Sequence, residues 1–131
     1  MKKWILVLAL VLASTVKGFA YDLTLLSTTT STGTGTPILL SLSSGVAVNA
    51  GSCVIVWGGT TPTNTIVYVE GSLDGITWPA QHLVEVTSTA SGELFHWVNK
   101  PVKYLRGNYV SKTGGDATTS VTMKCYGIVN K

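Results

Sequence analysis

The chain has 131 residues, of which 45% are hydrophobic and only 11% charged. A chain this short builds one hydrophobic core, not two. Of its nine basic residues, Lys2, Lys3 and Lys17 fall in the first twenty, so residues 21–131 carry six charges of each sign. That removes the basic surplus on which nucleic-acid binding would rest.

Met1-Lys2-Lys3-Trp4 opens the chain, Ile5 to Ala13 is apolar throughout except that it stays short, and Gly18-Phe19-Ala20 places small residues at the −3 and −1 positions of a cut after Ala20. This is how a secretory signal peptide reads, and Lys17 interrupts the run before the ~20 apolar residues that a spanning helix needs. Residues 1–20 are therefore expected as a cleaved signal helix. The product would be secreted or sit at a cell surface, without membrane attachment once the leader is gone. In an oxidising compartment Cys53 and Cys125 are expected to pair as a disulfide; two buried free thiols are the alternative.

After the leader, Leu23 to Leu26 reads as a short strand, and Ser27 to Thr36 is a Ser/Thr/Gly tract. Such a composition cannot bury a core, so residues 21–36 are expected as a flexible arm or a weak edge strand ahead of a domain spanning 37–131. Strand candidates follow at Pro37 to Leu42, Cys53 to Trp57 and Asn64 to Glu70, with a turn at Ser43-Ser44-Gly45 between the first two. Next come Leu83 to Val86, Glu93 to Val98, Val102 to Val110 and Thr118 to Val129. Strand-sized runs every ten or so residues, with turn signals between them and no 3.6-residue period, predict an all-β fold. The expected form is a single antiparallel β-sandwich, jelly-roll or immunoglobulin-like, of about eight strands. In the last run Val121, Met123, Cys125 and Val129 share one side, as Cys53, Ile55 and Trp57 do in the earlier one. Both cysteines thus fall on inward faces, and a bridge between them would close a loop of roughly 70 residues, worth about 4 kcal/mol in the chain-entropy picture.

There is no nucleophile elbow, no His-Glu-x-x-His, no Cys-x-x-Cys and no phosphate-cradling glycine loop. His82 and His96 have no ligand spacing with a carboxylate or thiol, so neither a metal nor another cofactor is expected. Glu70 and Asp74 invite comparison with a glycosidase pair. Asp74-Gly75 is, however, what a tight turn needs, and Glu70 alternates onto the outer face of its strand. Glu70, Gly71, Ser72, Asp74, Gly75 and Trp78 are accordingly read as a structural turn motif, and no enzyme is expected. Trp57, Trp78 and Trp97 could stack on sugar rings if exposed, or fill the core if not.

The order of Leu25-Leu26-Ser27 with its Thr/Gly tract, Val67-Tyr68-Val69-Glu70-Gly71-Ser72-Leu73-Asp74-Gly75-Ile76-Thr77-Trp78, Lys103-Tyr104-Leu105-Arg106-Gly107-Asn108-Tyr109-Val110, and Thr113-Gly114-Gly115 before a final strand resembles small β-sandwich virion proteins of tailed bacteriophages, the head-decoration and tail-associated kind. The resemblance covers most of residues 21–131. It implies a non-enzymatic structural or surface-assembly subunit that associates with itself or with a protein lattice, a virion decoration or fibre-type sandwich. The export leader departs from that pattern, since virion proteins assemble in the cytoplasm. The alternative reading is a secreted carbohydrate-binding or adhesin-like module.

Overall fold

The computed structural model describes residues 21–40 and 47–128; the expected leader 1–20, the turn at 43–45 and Val129 lie outside them. Nine strands run in chain order: β1 (Tyr21–Thr29), β2 (Gly33–Thr34), β3 (Ile38–Leu39), β4 (Ala50–Gly58), β5 (Asn64–Ser72), β6 (Val84–Val86), β7 (Glu93–Trp97), β8 (Tyr104–Thr113) and β9 (Ser120–Ile128). All strand pairings between them are antiparallel.

One sheet has the order β1-β9-β4-β7, and the other β2-β8-β5-β6 with β3 also on β8. Because β2 and β3 are two short pieces on the same edge of β8, the chain behaves as eight strands in two four-strand layers. First pairs with last, second with second-last, and so inward, as when one long antiparallel ribbon is rolled up. That is the jelly roll, which resolves the choice left open by the strand pattern.

Alternation builds the core. Cys53, Ile55 and Trp57 of β4 face inward with Val121, Met123 and Cys125 of β9. Val67 and Val69 of β5 and Leu105 and Tyr109 of β8 meet them from the other layer. Cys53 and Cys125 are cross-strand partners within one sheet and are disulfide-bonded. Trp97 of β7 lies over Gly51, its partner on β4, where a Cβ would fall 2.1 Å from the indole Cη2. β4 thus begins at Ala50, three residues before the strand candidate that opens at Cys53, with glycine at the place where the ring rests on backbone.

Of the two readings of the segment before residue 37, the edge strand holds and the flexible arm does not. Residues 21–29 form a full edge strand along β9, and Gly33–Thr34 pairs with β8, so the Ser/Thr/Gly tract carries the chain from one sheet to the other. Register shifts on both sides of Leu26 mark bulges, and they let the consecutive Leu25 and Leu26 both be buried. Thr28, in the second bulge, has φ of 44°.

Candidate functional site

The outer face of the β2-β8-β5-β6 sheet holds the densest cluster of polar and aromatic side chains. The register puts Ser72 opposite Tyr104, Glu70 opposite Arg106 and Tyr68 opposite Asn108. Arg106 donates its Nε–H to Glu70 Oε2 at 2.5 Å, and Asn108 donates Nδ2–H to Glu70 Oε1 at 2.9 Å. The Arg106 guanidinium lies 4.1 Å from the centre of the Trp78 ring, a cation–π contact. His82 stacks on Tyr68 with ring centres 3.5 Å apart, and its Nδ1 stands 3.6 Å from Glu70 Oε1. Glu70 keeps only 5% of its surface. The solvated glutamate expected on this face is therefore a buried anion whose two oxygens are both engaged.

The turn after β5 is wired by two side chains. Asp74 Oδ1 accepts the N–H groups of Ile76 at 2.8 Å and Thr77 at 2.7 Å. The Ser72 hydroxyl accepts the Gly75 N–H at 2.9 Å, and its proton can serve either Asp74 Oδ1 or the Thr77 carbonyl. Gly75 has φ of 76° and faces the Tyr104 ring, so a side chain there would meet both strain and the ring. The Ile76 N–H, then the Thr77 N–H, the Thr77 hydroxyl and the Ser72 hydroxyl, hold the Asp74 carboxyl well below the usual carboxylate range. At neutral pH Asp74 has no proton to give, and Glu70 is sealed beneath Arg106. Both carboxylates are thus engaged by donors of the fold, Asp74 by its own turn and Glu70 by Arg106 and Asn108.

The structure divides the three candidate stacking residues. Trp57 and Trp97 are 7% and 2% exposed and belong to the core, with Trp57 edge-on to Tyr109. As a sugar platform both are ruled out, because their rings are consumed by packing between the layers. Trp78 alone is partly exposed, with Arg106 over its ring. Arg106, Asn108 and His82 are partners of Glu70 that no local motif marks; the usable signal is strand alternation, which puts 68, 70 and 72 on one face of β5 and 104, 106 and 108 on one face of β8. Among the described residues no group of three or more His, Cys, Asp or Glu side chains is gathered as a metal site would need.

Two further surface features matter. A cleft of about 330 Å³ lies between β1 and β2, with Leu25, Leu26 and Ile38 below and Ser and Thr side chains around it. On the opposite side of the molecule, the outer face of the β1-β9-β4-β7 sheet leaves Val56, Leu94 and Tyr126 between 43% and 57% exposed.

The fold is similar to that in the crystal structure of the SPBc2 prophage-derived protein YomS, with a TM-score of 0.57 and 14% sequence identity over 84% of this chain and 93% of that one. At that identity the likeness is one of fold. No protein-family model matches the chain, and neither does any curated protein.

Proposed function

We propose that this chain is a non-enzymatic structural subunit of a phage-type particle or surface assembly, a decoration or fibre-type jelly roll that works by packing against copies of itself or a lattice. The observation that carries the reading is the likeness to a prophage-derived protein, which takes in nearly the whole of that protein's length and so matches a complete unit and not a shared fragment. Jelly rolls recur in viral capsid and lectin domains, which favours assembly and carbohydrate binding alike. Assembly is favoured further by the engagement of Glu70 and Asp74 within the fold and by the aliphatic side chains left on both outer faces. Export by the leader at residues 1–20 belongs to the same proposal, as the route to an outer surface. Peptide mass spectrometry on particles banded in a density gradient, from cells carrying the gene, tests it. Stoichiometric amounts of the chain in the particle band support the reading, and its confinement to the soluble fraction would overturn it.

The second reading, a secreted carbohydrate-binding module, rests on Trp78 as the one partly exposed tryptophan among the described residues. A polysaccharide panel that leaves the tryptophan emission of the wild type unchanged, with no difference from Trp78→Phe, would remove it.

A further inference from the structure

The cleft between β1 and β2 takes no part in the Glu70 cluster, and its walls are fixed by main-chain pairing on both sides. β1 is held along β9, Gly33–Thr34 along β8, and the Gly35 N–H is donated to the Gly107 carbonyl at 2.8 Å. Leu26 ties the two walls together by filling the space over Gly107, where a Cβ would fall 2.6 Å from the leucine Cγ. The two bulges beside Leu26 bend β1 where it borders the cleft, and bulges recur next to binding sites because they re-aim side chains. The concavity of about 330 Å³ is therefore preformed, as small-molecule sites usually are.

We propose that this cleft binds one neutral sugar ring, free or at the end of a glycan, at a site separate from Trp78 and whether or not the chain assembles. The lining selects that class of ligand. Seven of the twelve lining residues are Ser or Thr, and none is charged or aromatic. An ion would find no counter-charge there, and a flat base no ring to stack on. A hydroxyl both donates and accepts, so a wall rich in hydroxyls matches a ligand whose own polar groups are hydroxyls. Among hydrogen bonds between described residues, Thr29 is the one lining residue whose hydroxyl is spent within the fold, on the Ser31 carbonyl. Leu25, Leu26 and Ile38 form the floor, which suits the C–H face of a pyranose.

Size and shape narrow it further. Small-molecule sites run from about 300 to 1,000 Å³, so this cleft stands at the lower end and holds a single ring, not a run of them. An extended peptide is the other ligand that an edge strand invites, and here it is shut out. Gly35 sits so close on β1 that a Cβ there would fall 2.2 Å from the Leu25 carbonyl oxygen, which closes that edge midway to strand addition.

Amide chemical shifts of the nitrogen-15-labelled, disulfide-bonded chain test the proposal, with D-glucose, D-galactose, D-mannose and N-acetyl-D-glucosamine each titrated to about 100 mM. Glycerol and D-glucuronate are the comparators. The expected result is a saturable shift confined to amides of residues 24–38 with at least one of the four sugars, and a Kd on the order of 1–10 mM, as suits a shallow neutral contact. Ser31→Ala with Thr34→Val should weaken it at least ~5-fold, and Trp78→Phe should leave it unchanged. Either single variant serves where the double one loses spectral dispersion. The methyl glycoside of the bound sugar separates the two sources: retained binding admits the end of a glycan, and lost binding restricts the site to the free sugar. No saturable shift at residues 24–38 from any of the four, the same shifts from glycerol, tighter binding of glucuronate, or undiminished binding by the hydroxyl variants overturns the site. Shifts centred on Trp78 and lost in Trp78→Phe overturn it too, while supporting the carbohydrate reading above.

Discussion

Glu70 and Arg106 are direct cross-strand partners on β5 and β8, and the guanidinium that neutralises the buried carboxylate also covers the Trp78 ring. One residue thus joins the central strands of a sheet to the turn that follows β5. The pair is asymmetric: Glu70 has 7% of its side chain exposed and Arg106 has 20%. Removing the cation leaves a largely buried carboxylate with Asn108 as its remaining hydrogen-bond donor.

Arg106→Ala should therefore destabilise the fold by about 2–3 kcal/mol, the loss expected when a largely buried charge is stripped of its partner. Replacing both residues, as in Glu70→Leu with Arg106→Leu, should cost less than Arg106→Ala alone, because no unpaired charge remains. Urea unfolding followed by tryptophan emission measures both. Equal losses in the single and double variants would mean that Arg106 acts through packing on Trp78 and not through charge.

Acid should weaken the fold in a window set by two exposed aspartates. The Thr118 hydroxyl, then the Thr60 hydroxyl and the Thr118 N–H, lower Asp116 from 3.8 to about 2, and the turn donors lower Asp74 further. Both folded-state values lie below the unfolded ones. The stability they contribute is thus fully present above about pH 4 and is lost as pH falls toward 2 and below. The urea midpoint should be flat near neutrality and fall through this window. Asp116→Asn should reduce the slope between about pH 4 and 2, and Asp74→Asn should reduce it over that range and below it. An unchanged acid slope in both variants would assign acid sensitivity to other carboxylates.

How far the sequence discloses this arrangement depends on whether a feature is local. Inward alternation in β4, β5, β8 and β9 is visible in single strands, because each has one face in the core; Cys53, Ile55 and Trp57 already announce the buried side. That same parity marks Trp57 as a core residue, although a count of tryptophans cannot. Of the edge strand β1 only Leu23 to Leu26 is legible; its full length is hidden by bulges, which break the period of two and bury Leu25 beside Leu26. Glu70 reads as solvated because its partners, Arg106 and Asn108, are 36 and 38 residues away, and only the register of β5 against β8 brings them opposite. The jelly-roll order is likewise a property of pairings between distant segments.

The bridge between Cys53 and Cys125 spans 72 residues of sequence yet joins neighbouring strands. Its stabilisation should come mainly from restricting the unfolded chain, about 2–4 kcal/mol. Both cysteines are fully buried, so a mild reductant should act slowly on the folded protein and quickly once urea opens it. Cys53→Ala with Cys125→Ala should keep the β circular dichroism spectrum and lower the unfolding midpoint, with strand pairing still held by the β4–β9 ladder. Loss of the β spectrum at room temperature would show that the ladder cannot form without the bond.

Gly51 offers a separate test of the layer packing. A methyl group there would lie within 2.1–2.7 Å of three carbons of the Trp97 indole, too close for either to remain in place. Trp97 is 2% exposed and wedged among core neighbours, so the ring cannot swing outward without opening the end of the sandwich. Gly51→Ala should cost about 1–3 kcal/mol and shift tryptophan emission to longer wavelength as the ring gains water. In a Trp97→Ala background the same substitution should cost much less, because the atoms it strikes are gone. Additive losses in the double variant would place the penalty in the β4 backbone instead of in the ring.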